Sequence, residues 1–197
     1  TLGHDNLLWR RLAQRLLVER ARKDVVPALL DLLSRRRVDE LGLDVGAIHA
    51  LWTLQGLGAV DALPNVLKAV TAALDHPSAS VRRTALTVLP KTPGTVTAVL
   101  KAKSLEDSDG QVRLAALLAL SGVPASADAG KALFAVLDQP NLTLDQWMVD
   151  AAKIAASSHH ESFLASAQSE QIAVARQALQ NPTLPIRAQK YSTFDFD

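Results

Sequence analysis

The 197-residue sequence has no cysteine, a single methionine and only 4% aromatic residues. Without cysteine there is no disulfide framework and no thiolate-ligated metal or haem-attachment motif. The absence is compatible with an oxidising compartment but does not demand one. An excess of one charge is also missing: 21 Lys and Arg face 20 Asp and Glu, for a formal net charge of +1. Strong non-specific nucleic-acid binders carry a marked basic excess, so this balance argues against that class. Long apolar runs are absent too. A spanning helix needs roughly 18 or more consecutive apolar residues, and blocks such as LAALLAL at 114–120 fall far short. The nine glycines are dispersed, so no phosphate-cradling loop forms, and no G-x-S-x-G elbow is present.

What the chain does have is a 48% hydrophobic content dominated by alanine and leucine at helical spacing. That content implies a folded chain with a buried interior, and the spacing implies helices, not strands. Internal similarity is the main signal. With Trp9 as anchor, WRRLAQRLL aligns without gaps to VRRTALTVL from Val81 and VRLAALLAL from Val112. Weaker copies start at Gly46 (GAIHALWTL) and Trp147 (WMVDAAKIA), giving spacings of 37, 35, 31 and 35 residues. Four positions after each anchor stand Ala13, Ala50, Ala85, Ala116 and Ala151. Eight positions after stand Leu17, Leu54, Leu89, Leu120 and Ala155. Offsets of four and eight lie on one helix face. A small residue there lets a neighbouring helix approach, and leucine fills the space beside it.

Each anchor helix is followed by a second apolar segment: 25–33, 62–74, 95–105, 130–137 and 160–168. Breakers mark the joints within units at Gly58, at Pro90 to Gly94, and at Gly122 with Pro124. Joints between units are marked by Asp75 with Pro77, Asp107 to Gly110, and Asp138 with Pro140, which are expected to supply helix caps. A single helix pair cannot bury such a stripe, so the pairs must stack. The expected fold is all-α, an α-α superhelix of about five hairpins over residues 1–180. EQIAVARQALQ at 170–180 reads as one more helix. Residues 181–197 read as an exit segment or linker: NPTLPIR begins like a further unit, which fails at Lys190 and Tyr191.

DHPSASVRRTAL (75–86) and DSDGQVRLAAL (107–117) resemble the first helix of a HEAT-like, armadillo-type repeat, with Asp in the turn and then Val-Arg. The resemblance covers roughly residues 5–168. It implies a right-handed solenoid. The second unit departs from it with Gly46-Ala47, and the fifth with Trp147-Met148, where Val-Arg is expected. A narrower resemblance, carried by Trp9, Arg10, Ala13 to Leu16, His49 to Trp52, Leu54 and Gly56 to Gly58, is to the helical module of large bacterial secreted or membrane-bound dehydrogenase-like proteins. There a β-propeller precedes the HEAT-type segment, and a c-type cytochrome often lies elsewhere in the chain. This likeness implies a periplasmic or extracellular location, against a cytoplasmic alternative, and a non-catalytic linking role. The start at Thr1 and the final YSTFDFD suit a piece of a longer protein.

No residue pattern points to catalysis, a cofactor or a metal. His159-His160 are adjacent, so on a helix they project about 100° apart and poorly share a metal. With Ser157-Ser158 they read as a polar turn in the fifth unit. His49 reads as partly buried, and His4 and His76 as lead-in and turn residues. Glu106, Asp107, Asp109 and Gly110 are faintly similar to a calcium loop that lacks its remaining ligands. Trp9, Trp52 and Trp147 read as packing between units, or as binding anchors if exposed.

Residues 1–40 hold nine bases against six acids, and residues 138–197 four against seven. A basic start and an acidic end suit a docking surface that steers a partner. Arg82 and Arg113 are expected to bond turn Asp residues of neighbouring units, since a guanidinium can hold a carboxylate bidentately. Arg35, Arg36 and Arg37 are expected in a solvated loop, with partner contact as the alternative. The expected function is a monomeric scaffold that binds a protein segment or holds flanking domains of the same chain. A nucleic-acid-gripping array, or an enzyme such as a lyase on the same array, is the alternative.

Overall fold

A computed structural model describes residues 2–138 and 146–169. The expected helix at 170–180 and the exit at 181–197 lie outside those residues. The described chain is all-α and contains no strand.

Helix α1 (Leu7–Arg20) starts at Asn6, whose side chain accepts from the Leu8 amide at 2.8 Å. It stops where Ala21 turns left-handed (φ 53°) and its amide bonds the Val18 carbonyl. After a short 3-10 turn, α2 (Val26–Ser34) carries Pro27 in its first turn, where no amide donor is needed. Asp44 caps α3 (Val45–Gly56) by accepting from Ala47 at 2.9 Å. Gly58, at φ +61°, then breaks the chain. The second helix of this unit is split by Pro64 into α4 (Ala59–Ala62) and α5 (Pro64–Ala72). The third unit comprises α6 (Ala79–Val88) and α7 (Pro93–Lys101). The fourth comprises α8 (Gly110–Ser121) and α9 (Ala127–Leu137), and the last α10 (Gln146–Ser158) and α11 (160–169).

The first helices form a row: α1 packs on α3, α3 on α6, α6 on α8, and α8 on α10. The second helices lie beside them, α2 against α3 and α5, α7 against α8 and α9. The apolar seam runs along the row. Ala50, Ala85, Ala116 and Ala151 are buried, as are Leu54, Leu89, Leu120 and Ala155. Complete burial of a leucine such as Leu54 or Leu120 contributes about 1.5–3 kcal/mol.

The first unit differs. Ala13 and Leu17 are only half-buried, and α1 has no fully buried residue. α1 stands at the edge of the described stack, with a neighbour on one side only. Unit five carries a different correction. Met148, not the expected Trp147, takes the buried anchor position, with Ala152 and Ala156 buried behind it. Leu89 is buried but not helical, because α6 ends one residue earlier at Val88.

The final hairpin is stitched down by polar groups. His159, 1% exposed, presents one ring nitrogen to the Leu120 carbonyl at 3.0 Å and accepts from the Ser126 amide at 3.0 Å with the other. Ser158 donates to the Ser121 carbonyl and Ser162 to the Ser126 carbonyl. Gly130 lets α11 lie against α9, because a Cβ there would sit 1.9 Å from Ser162 Oγ. Phe134 and Phe163 meet edge to face, ring centroids 5.8 Å apart, across the same contact.

Candidate interaction surface

The joints between units hold the densest polar structure, and one arginine motif organises them. Arg10, Arg82 and Arg113 each stand four residues after a helix cap: Asn6, Ser78 and Asp109. Each folds its Nη1 back onto the carbonyls six and five residues earlier. Arg10 bonds His4 and Asp5, Arg82 bonds His76 and Pro77, and Arg113 bonds Asp107 and Ser108. Two residues before each of these caps, a side chain accepts the cap's own amide: His4 Nδ1 from Asn6, His76 Nδ1 from Ser78, and Asp107 Oδ1 from Asp109. The guanidinium thus ties down the turn that leads into the helix, whose carbonyls lie outside the helical ladder.

Arg82 also reaches into the next unit. Its Nε and Nη2 each bond one oxygen of Asp107 at 2.7 Å, a bidentate bridge with both side chains largely buried. Burial pushes the Asp107 carboxyl up, but the Arg82 bond and the Asp109 amide outweigh it and hold the group below its ordinary 3.8. For Arg82 the ladder is therefore formed. Arg113 bonds no aspartate side chain among the described residues and holds its own turn instead; residues 139–145, which follow α9, lie outside them.

One expected cap is corrected: Asp75 caps no helix, since its side chain is 94% exposed and its carbonyl accepts from Arg36 of the preceding joint. The stretch from Asp107 to Gly110 does supply a cap: Asp109 accepts from Gln111 and Val112, while Asp107 is the bridging carboxylate. Asp107 and Asp109 are thus committed to protein donors, and the described residues contain no cluster of three or more metal-ligating side chains. His76, only 2% exposed, brings Nε2 to within 3.5 Å of Asp44 Oδ2 across the preceding joint. Desolvation lowers its pKa from 6.5; Asp44 opposes this, and Arg36 and Arg82 add to it. His49 bonds Gln14 Oε1 at 2.6 Å and is lowered likewise, by burial first and then by Arg10.

The three consecutive arginines are exposed but do different things. Arg35 pairs with Asp31 one turn back on α2. Arg36, with φ 48°, bridges to the Asp75 carbonyl. Arg37 makes no contact of this kind among the described residues. The run is thus a loop fastened at its middle residue, not a single basic patch.

Two of the three tryptophans overturn the packing expectation. Trp9 is 52% and Trp147 76% exposed, and only Trp52 is half-buried against the core. Trp9 stands among a larger exposed apolar stripe. Leu8, Leu12 and Leu16, spaced four apart on α1, are 61%, 37% and 63% exposed. Arg11 and Arg15 flank the stripe, and Arg15 pairs with Glu19. No helix among the described residues is long and apolar enough to cross a membrane.

No family model, curated protein or solved structure matches the chain.

Residue spacing identified the helix seams, and the Val-Arg pairs marked two of the three folded-back arginines. It missed Arg10 as the third, although Arg10 follows Asn6 by the same four residues. It also missed the capping-turn role of His76. The signal was present: His76 aligns with Asp107 when Val81 is set on Val112.

Proposed function

We propose that this chain is a non-catalytic scaffold of HEAT-like type, a helical-repeat module that holds flanking domains of the same chain or a protein segment. The observation that carries this reading is α1. A terminal repeat that ends a stack in water needs a polar outer face. α1 instead exposes Leu8, Trp9, Leu12 and Leu16 on consecutive turns. Scattered exposed leucines need no explanation, but a stripe of them beside a tryptophan marks a contact surface. Arg11 and Arg15 beside the stripe favour an occupant whose apolar face carries carboxylates. We assign that occupant to a flanking domain of the same protein, in keeping with a linking module of a secreted or membrane-bound bacterial dehydrogenase-like protein and a periplasmic location. The polar clusters support the same reading, because Arg82, Asp107, Asp109 and Arg113 hold caps, turns and a bridge between units.

Amide hydrogen exchange tests the assignment. In the full-length protein that contains this segment, α1 amides should exchange at least about tenfold more slowly than in the isolated 197-residue chain. Equal rates would overturn the docking of α1. Salt-dependent binding of duplex DNA by the isolated chain would favour the nucleic-acid reading in its place.

A further inference from the structure

The stack has a second apolar feature, far from α1 and of different origin. Helices α6 and α8 align through Val81 and Val112, and in that register Pro90 falls opposite Ser121. α8 runs on to Ser121, but α6 stops at Val88. The cause is local: Leu89, directly before Pro90, is forced into extended backbone (φ −61°, ψ 140°). The last turn of α8 therefore has no helical partner in α6. A groove of about 310 Å³ runs between α6 and α8, from Arg83 and Gln111 to Pro90 and Ala119, and Leu86, Leu89, Leu114 and Leu118 line it. That is the lower end of the roughly 300–1,000 Å³ of ligand sites and suits one or two side chains, not a cofactor.

Stacking does not bury this apolar surface: Leu118 is 50% exposed, and the matching position of α6 is the exposed Thr87. The groove's rim carries Arg83 and Lys91, and no acidic residue lines it. Neither cation's side chain has a hydrogen bond or ion pair among the described residues, unlike Arg82 beside them. Lys91 is laid across Gly122, where a Cβ would come within 3.2 Å of its Cε, so its chain lies along the end of α8. Two unpaired cations beside an exposed leucine fit an apolar anchor flanked by carboxylates.

We propose that the groove between α6 and α8 binds an acidic protein segment through one large apolar side chain. The binding is separate from the docking of α1 and does not depend on it.

The test uses the 197-residue chain and two blocked peptides, Glu-Glu-Leu-Phe-Glu-Glu and Lys-Lys-Leu-Phe-Lys-Lys, followed by amide NMR shifts. The acidic peptide should bind at least about tenfold more tightly than the basic one, with shifts centred on Leu86, Leu114 and Leu118. Leu118→Lys should weaken it by about tenfold while leaving the melting temperature unchanged, because the side chain is half in water. The double variant Arg83→Glu/Lys91→Glu should reverse the preference and take the basic peptide. Equal binding of both peptides, shifts centred on α1, or a preference that survives the charge reversal would overturn the proposal. Groove shifts that depend on protein concentration without peptide would also overturn it, and would assign the groove to a second copy of the chain.

Discussion

Helices α1 and α8 begin in the same way and end up in different surroundings. Each is capped by a side chain, Asn6 or Asp109, and each carries an arginine folded back onto the lead-in carbonyls. Yet α8 buries Val112, Ala116, Leu117 and Leu120, and α1 fully buries nothing. The capping turn is local, written in the half-dozen residues around it. Burial is not local: α8 is held between α6 and α10, while α1 has only α3 in its row. The same motif therefore gives a core element in one place and an open face in the other.

The sharpest way to break the comparison is to cut one leucine from each helix. Leu120→Ala empties a fully enclosed site and should cost about 2–5 kcal/mol in urea unfolding. Leu16→Ala on α1 should stay within about 0.5 kcal/mol, as for other surface substitutions. A cost at Leu16 near that at Leu120 would mean that α1 is covered on both sides.

Ion pairs should follow the same contrast with smaller effects. Arg82→Ala strips the charged hydrogen bonds from Asp107 and from the His76 and Pro77 carbonyls, and should cost about 1.5–3 kcal/mol. Arg35→Ala breaks an exposed pair one turn apart on α2 and should cost about 0.3–0.5 kcal/mol. A double-mutant cycle with Asp107→Ala separates the bridge from the turn carbonyls, since only the former couples the two substitutions.

Overpacking ranks next. Ala85→Leu or Ala116→Leu places extra methylenes where neighbouring helices touch, and should destabilise by about 1–3 kcal/mol. Ala13→Leu, at the equivalent half-buried position of α1, should have a smaller effect. A melting series in which all three lose equally would remove the distinction between edge and interior.

These contrasts also explain which features the sequence carries. Period and small residues identify the seam at Ala50, Ala85, Ala116 and Ala151, and those alanines are buried. The same period cannot say whether a neighbour exists, so Ala13 and Leu17 look like seam residues and are half open. Tryptophan at an anchor position reads as core on volume alone. A register slip of one residue turns a side chain by about 100° and leaves Trp147 in water, with Met148 inside. Pro90 is legible as a breaker, but the groove beside it depends on how α8 lies against α6. The bridge between Arg82 and Asp107 follows from residue type, whereas the role of Arg113 depends on which carbonyls its own turn leaves free.

The subtlest contrast lies in pH. Both His76 and Asp107 accept a cap amide two residues ahead, at adjacent joints. Burial dominates at His76 and, with Arg36 and Arg82 nearby, lowers its pKa from 6.5 despite Asp44. The folded chain therefore keeps His76 neutral at a pH where the unfolded chain already protonates it. Stability should fall as pH drops below about 6.5 and level off once the folded pKa is passed. Asp107 is shifted downward from 3.8, so the unfolded chain takes up that proton first, and its contribution is lost only at more acid pH, as the carboxylate protonates in the fold. His49, lowered for similar reasons, adds to the upper window. His76→Gln should flatten the stability profile between pH 7 and 5 without touching the acid limb; Asp107→Asn should do the reverse. Urea midpoints across that range decide it: a His76→Gln profile parallel to the parent's would mean that His76 takes up its proton in the fold as readily as in the unfolded chain.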